Sequence, residues 1–253
     1  GIENRVGLPV YSHDVMPWRD YEDMAQAAAI EMDRILIQGG RVALNVQPAV
    51  PFSPIDKDDR RRVNLQQIWT EALEDAGLQY RDTIAWIQDS HDGACAWGSW
   101  ARPTAPNFRG GWEVILIYFK AGTADKEGWR RDPNPKWADY KEERFGPGGD
   151  LTDCYRNVWK LRPARSDLKA TFPVELPLRA IRTMTYPDDM VVDPFAGSGT
   201  TGIAAKIMGR PFYGVDLSET MAAHAATRIA DAPSDYPFDD PTKEAEDVRP
   251  AAG

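Results

Sequence analysis

Two carboxylates bracket a glycine-rich run near the end of the sequence. Asp193 opens Asp193-Pro194-Phe195-Ala196-Gly197-Ser198-Gly199-Thr200-Thr201-Gly202, and Asp216 closes Tyr213-Gly214-Val215-Asp216. Val191 and Val192 read as a strand end, while Ile203, Ala204, Ile207 and Met208 give the following stretch the apolar face of a helix. Ser198 or Thr200 is placed to cap that helix, which is expected to begin near Thr201, and Gly209 to stop it. Pro211 to Val215 reads as a second short strand. Asp216 leaves its C-terminal end, where doubly wound sheets bind ligands. Such a strand–turn–helix–strand unit is how an open α/β sheet holds a cofactor carrying an adenosine.

Gly197, Gly199 and Gly202 satisfy G-x-G-x-x-G, so a dinucleotide must be weighed first. A pyrophosphate on a helix N-terminus wants positive potential, and Asp193 at the mouth of the turn repels it. S-adenosylmethionine has no phosphate and carries an ammonium and a sulfonium, which a carboxylate there favours. Only residues 203–253 follow the motif, leaving little room for the later strands of a dinucleotide fold. No Gly-Lys-Ser/Thr follows, so a Walker loop also fails. A structural glycine turn without ligand is the bland alternative. The paired carboxylates favour the methyl donor.

The run Asp193 to Thr201 resembles the D-P-F-x-G-S-G-T-T cofactor motif of exocyclic-amino DNA methyltransferases, the N4-cytosine and N6-adenine enzymes of restriction–modification systems. Phe172-Pro173-Val174-Glu175-Leu176-Pro177 is similar to the family's F-P-x-x-L segment, which closes over the methionine end of the cofactor. Ala96-Trp97-Gly98-Ser99-Trp100 and the stretch from Trp112 to Lys120 resemble its hairpin region. The similarity covers most of residues 5–230, and the motif order implies the permuted β group, with the catalytic half ahead of the cofactor half. The resemblance implies that Asp193 accepts from the cofactor's amino group. Phe195 and the amides of Gly197 to Thr200 would line the methionine and ribose. Asp216 would take the ribose hydroxyls, with a helix cap before Ser218-Glu219 as the alternative. Pro194, Ala196 and Thr201 complete this cofactor set. Phe172 and Pro173 would pack on the cofactor, against ordinary core packing. Trp97, Ser99 and Trp100 would face the flipped base or the DNA backbone, against plain hydrophobic anchoring.

An exocyclic amine is a poor nucleophile because its lone pair is delocalised into the ring. Enzymes of the resembling family flip the base out of the duplex and accept hydrogen bonds from its NH₂, freeing the lone pair for in-line attack on the sulfonium methyl. They supply the acceptors from an S/D-P-P-Y/W tetrad. Residues 1–253 contain no such tetrad. Leu8-Pro9-Val10-Tyr11 puts leucine where the side-chain acceptor belongs, and Phe52-Ser53-Pro54-Ile55 is one proline short. Because Asp14 to Tyr21 resembles the segment between tetrad and first helix, the tetrad is expected before Gly1. A non-catalytic DNA-binding or regulatory homologue that keeps the cofactor pocket is the competing expectation. Asn45, at a strand's C-terminal end, is a further site candidate, while His13 and His91 have no nameable partner.

The elements that must position these residues alternate along the chain. Tyr21 to Ile37 has an amphipathic helix pattern ended by Gly39-Gly40, Val42 to Val46 reads as a buried strand, and Arg61 to Ala76 as a helix stopped by Gly77. Tyr80 to Gln88 and Trp112 to Lys120 read as strands. The expected fold is α/β, an open, mainly parallel Rossmann-like methyltransferase sheet, circularly permuted, with an antiparallel strand near one edge. One domain is expected over residues 1–230, with a small inserted target-recognition region at 121–157 and an acidic, disordered tail at 231–253. The insert interleaves aromatics with Arg130, Arg131, Lys136 and Arg144, cations suited to phosphate. Its acidic residues leave a solvated loop as the alternative.

The formal charge of −9 sits awkwardly with a DNA partner, although a local basic face suffices. With two cysteines and three histidines, neither a disulfide framework nor a metal site is expected. No long apolar run or leader stands out, so a cytoplasmic protein without membrane contact is expected. The expected cofactor is S-adenosylmethionine and the expected partner double-stranded DNA, alongside a cognate restriction endonuclease, the protein acting as monomer or homodimer. Cytosine N4 is placed ahead of adenine N6 on the look of the Trp97–Trp100 hairpin alone.

Overall fold

The computed structural model describes residues 16–51, 62–88, 111–122, 154–164, 171–186 and 189–234. Clustering of contacts divides the chain into two units, residues 16–124 with 156–162, and residues 1–15, 125–155 and 163–253. The insert at 121–157 and the tail at 231–253 fall almost wholly outside the described residues.

The first unit holds helix α1 (Trp18–Ile35), strands β1 (Arg41–Val46), β2 (Val50–Pro51) and β3 (Arg62–Val63), helix α2 (Leu65–Asp75), and strands β4 (Gln79–Gln88), β5 (Trp112–Phe119) and β6 (Val158–Leu161). α1 forms where alanines and methionines recur at helical spacing, and Ala25, Ala29 and Met32 are the residues it buries. Its end leads into Gly39-Gly40, where Gly39 donates to the Lys120 carbonyl and Lys120 to the Gly40 carbonyl, both at 3.0 Å. That exchange sets β1 beside β5.

The sheet order is β1-β5-β4-β6. β5 is antiparallel to both β1 and β4, and β6 is parallel to β4, so β1, β4 and β6 share one direction and β5 alone is reversed. The mainly parallel character expected of the sheet is present in strand direction. The reversed strand lies between β1 and β4 rather than at the sheet's margin. β5 is buried on both faces. Val114, Leu116 and Tyr118 join Val42 and Val46 in a core with Ala25, Ala29, Met32, Trp69, Ala72 and Leu73 of the two helices. Trp69 donates to the Tyr21 hydroxyl at 2.9 Å, tying α2 to α1. On the far side of β4, the buried Trp86 indole donates to the Leu161 carbonyl at 2.9 Å.

The expected helix over 61–76 starts later, at Leu65. Arg62 and Val63 pair antiparallel with Pro51 and Val50 instead, and the Asn64 side chain caps α2 by accepting from Gln67 N–H at 3.0 Å.

In its described part the second unit holds helix α3 (Glu175–Met184), strand β7 (Val191–Asp193), helix α4 (Thr200–Ile207), strand β8 (Phe212–Gly214) and helix α5 (Glu219–Asp231). β7 and β8 are parallel, with Val191 opposite Phe212 and Asp193 opposite Gly214. Leu178 and Ile181 of α3 pack on Ala204 and Ala205 of α4. α4 ends as expected at Gly209, whose φ of 64° carries the left-handed turn, and the Arg210 amide closes it onto the Ala205 carbonyl at 2.8 Å. No described helix is long and apolar enough to cross a membrane.

Candidate functional site

β7 and β8 end side by side, so Asp193 and Asp216 leave the same end of a parallel pair. Backbone bonds continue the register past the strands. Val215 N–H donates to the Asp193 carbonyl and Ala196 N–H to the Val215 carbonyl, each at 2.9 Å. The two acidic segments are thereby laced together before either side chain is considered.

Between them the turn folds on its glycines. Gly197 and Gly199 have φ of 50° and 83°, the left-handed region where a side chain is strained. Gly199 N–H closes onto the Ala196 carbonyl at 2.8 Å. The Asp216 carboxylate reaches across, accepting Gly197 N–H at 3.0 Å on Oδ2 and Ser218 N–H at 2.9 Å on Oδ1. Asp193 Oδ1 accepts Phe195 N–H at 3.0 Å, a local bond that fixes the carboxylate at the mouth of the turn. Phe195 itself is half exposed.

The helix cap differs from expectation. α4 begins at Thr200, one residue early, and its N-cap is Gly199 with no side-chain cap bond. The Ser198 and Thr200 hydroxyls lie 3.4 Å from each other rather than on the first-turn amides. The left-handed backbone at Gly199 takes the cap position, so neither hydroxyl is placed to serve it. Ser218 does cap the next helix, its hydroxyl accepting from Met221 N–H at 3.2 Å. Asp216 sits two residues ahead and holds the Ser218 amide.

Of the expected cofactor set, Asp193, Pro194, Phe195, Ala196, Gly197, Ser198, Gly199, Thr200, Thr201 and Asp216 form one contiguous constellation. Phe172 and Pro173 are half-buried just before α3, where the Pro173 carbonyl accepts from Leu176 N–H at 3.0 Å. They join no hydrogen bond of the turn among the described residues. Trp97, Ser99, Trp100, Arg130, Arg131, Lys136 and Arg144, with Leu8–Tyr11, Phe52–Ile55, His13 and His91, lie outside the described residues.

Three groups are brought in that the motif did not signal. On α5, Arg228 Nη1 donates to the Ser198 carbonyl at 2.5 Å. His224 lies one turn before it, and its pKa is lowered by burial and then by Arg228. In the other unit, Asn45 belongs to a polar chain across three strands. Its Nδ2 donates to Glu113 at 2.6 Å, and Glu113 accepts also from Gln88 at 2.8 Å. The Asn45 Oδ1 is buried without a hydrogen-bond partner among the described residues.

The family model for DNA methylase (N6_N4_Mtase) matches residues 17–227. The type II methyltransferase M.XycI of Xanthomonas campestris pv. cyanopsidis is 37% identical over 253 residues, covering 90% of this chain and 76% of its own. M.BglI of Bacillus subtilis, also a type II methyltransferase, is 29% identical over 150 residues, covering 58% of this chain. That match takes in only 37% of M.BglI. Among solved structures, TTHA0409 of Thermus thermophilus is described as a DNA modification methylase in complex with S-adenosyl-L-methionine. It superposes with a TM-score of 0.66 at 26% identity, covering 88% of this chain and 82% of that one.

Proposed function

The chain belongs to the N6/N4 DNA methylase family, and from that premise we propose that it methylates the exocyclic amino group of a flipped base in double-stranded DNA, with S-adenosylmethionine as donor. Cytosine N4 is placed ahead of adenine N6, and restriction–modification is the setting. Support for the donor comes from TTHA0409, solved with S-adenosyl-L-methionine at 26% identity. Support for the type II setting comes from the methyltransferase relatives.

The single observation that carries the reading is the arrangement of the two acids about the turn. Asp193 spends one oxygen on Phe195 N–H, and its Oδ2 has no hydrogen bond among the described residues. A cationic ligand fits a mouth kept negative in this way; a diphosphate does not. Gly197 and Gly199 bring backbone close to whatever occupies the turn, since neither has a side chain to stand between. When bound, S-adenosylmethionine supplies an electrophilic methyl on a sulfonium.

The chain's residues bind and orient. Asp193 would accept from the amino group of the methionine portion, and the amides at the start of α4 would hold its polar atoms. Asp216 would meet the ribose hydroxyls with the lone pairs left by its two backbone bonds. Phe195, half exposed, would cover the ligand's apolar surface, and Phe172 and Pro173 would close over the methionine end. The reading keeps residues 1–230 as one permuted methyltransferase domain, because β1 to β6 precede the cofactor turn in the sequence. It keeps Trp97, Ser99, Trp100, Arg130, Arg131, Lys136 and Arg144 as DNA contacts. DNA inside the cell would be met in the cytoplasm.

A second reading, binding of cofactor and DNA without transfer, is favoured by the lack of a Ser/Asp-Pro-Pro-Tyr/Trp tetrad within residues 1–253. One assay separates the two. Protein incubated with labelled S-adenosylmethionine and duplex DNA should yield N4-methylcytosine or N6-methyladenine on nucleoside analysis, with tRNA unlabelled. Cofactor binding by calorimetry with no label in DNA selects the second reading. NADH binding without S-adenosylmethionine binding removes both.

A further inference from the structure

We propose that Arg228 is a positioning residue for the cofactor turn, acting on the donor through the Ser198 peptide; this rests on the reading that the turn holds S-adenosylmethionine. The Ser198–Gly199 peptide unit is gripped at both ends. Its N–H goes to the Ala196 carbonyl at 2.8 Å and its carbonyl to the Arg228 guanidinium at 2.5 Å. A charged donor on a backbone carbonyl is the stronger class of hydrogen bond. With the carbonyl so claimed, the peptide plane is fixed, and the carbonyl is unavailable to swing into the ligand's place.

Arg228 can do this only because α5 lies hard against the turn. A Cβ on Gly199 would stand 2.9 Å from Ala225 Cβ and 3.1 Å from its Cα, so a glycine is needed for the helix to approach. Ala225 and Arg228 are three residues apart, on the same face of α5. The helix is held in turn from α4, because Lys206 Nζ donates to the Ile229 and Ala230 carbonyls at 2.9 and 2.7 Å. α4, which starts at the turn, fixes the end of α5, and α5 fixes the turn. Asp216 adds a third hold at Gly197. Every contact belongs to the segment downstream of the motif, so the turn's shape is set by a helix that the glycine pattern does not include.

The test uses calorimetry with S-adenosylmethionine on wild type, Arg228→Met and Arg228→Lys, beside thermal melts without ligand. Loss of one charge-assisted bond predicts a Kd raised about 10- to 100-fold in Arg228→Met. Lysine, which can still donate to one carbonyl, should recover most of that. Hydrogen exchange should quicken at the Gly199 amide in Arg228→Met while the strand amides of β7 keep their protection. Should Arg228→Met not fold, Ala225→Val, which crowds Gly199 from the same helix face, is expected to weaken binding at unchanged exchange in β4 and β5. Donor affinity equal to wild type in the folded variant overturns the proposal, as does weakening that lysine fails to relieve. Wild type that binds no S-adenosylmethionine removes the underlying reading instead.

Discussion

The Asp216 carboxylate accepts the Gly197 amide at 3.0 Å across nineteen residues of sequence. Through this bond a strand end shapes a turn that it does not adjoin, and its other oxygen orders the start of α5 through Ser218. Asp216 is therefore both a ligand-facing acid and a cross-link. Asp216→Ala removes both amide partners and the charge, so donor affinity should fall about 10- to 100-fold by calorimetry, in line with about 1.5–3 kcal/mol for a charge-assisted bond. Asp216→Asn keeps an acceptor oxygen for one amide and should fall between. Equal affinity in all three proteins would sink the idea that this acid shapes the turn.

Gly202 is a packing position rather than a conformational one. A Cβ there would collide with Ile229 Cδ1 and stand 2.7 Å from Phe212 Cε1. In a helix, Gly→Ala gains about 1 kcal/mol of propensity, against about 1–3 kcal/mol for overpacking. Gly202→Ala is expected to be near neutral to mildly destabilising. Gly202→Val, with more volume and less propensity, should lower stability by about 2 kcal/mol in urea unfolding. Unchanged midpoints for valine would show that α4 and α5 separate freely.

What the sequence revealed and what it hid divide along the range of the interactions. Glycines at 197, 199 and 209 announce left-handed backbone because no other residue sits there without strain, so turn and stop were legible. The apolar run of β5 was legible because burial on both faces leaves a continuous signature. The start of α2 was not, since Arg62 and Val63 are helix-compatible residues captured by a partner strand at Val50 and Pro51. β6 is four residues beside an aromatic and basic stretch, too short for alternation to stand out. α3 was masked by Pro177, which the first turn of a helix tolerates. Arg228 lies thirty residues from the carbonyl it holds, and nothing local marks an arginine for that task.

His224 should make stability pH-dependent on the acid side. Burial, then the nearby Arg228 charge, lower its pKa below 6.5 in the folded protein. The unfolded chain therefore binds more protons between the two values, and stability rises with pH there. The penalty is complete below the folded pKa and gone once pH passes about 6.5. His224→Gln should flatten the fall in Tm on acidification and match the native dependence above pH ~7. Calorimetric scans from about pH 5 to 8 test this; parallel curves for the two proteins would contradict it.

Glu113 is the hub of the polar chain on the four-stranded sheet, and its loss should cost more than the loss of Asn45. It accepts from Asn45 at 2.6 Å and Gln88 at 2.8 Å. Glu113→Leu leaves two partly buried amides without their acceptor, each worth about 1–3 kcal/mol when unsatisfied and less where water can reach. Asn45→Leu leaves Glu113 its bond to Gln88 and also removes Oδ1, a buried acceptor that has no partner among the described residues. The single variants should therefore rank with Glu113→Leu the less stable, by about 1 kcal/mol or more. In the double variant the orphaned Asn45 amide is gone, so the combined loss should fall short of the sum, a coupling that a denaturation cycle measures directly. Strict additivity would mean that the 2.6 Å contact contributes nothing to the fold and that the two residues stand apart energetically.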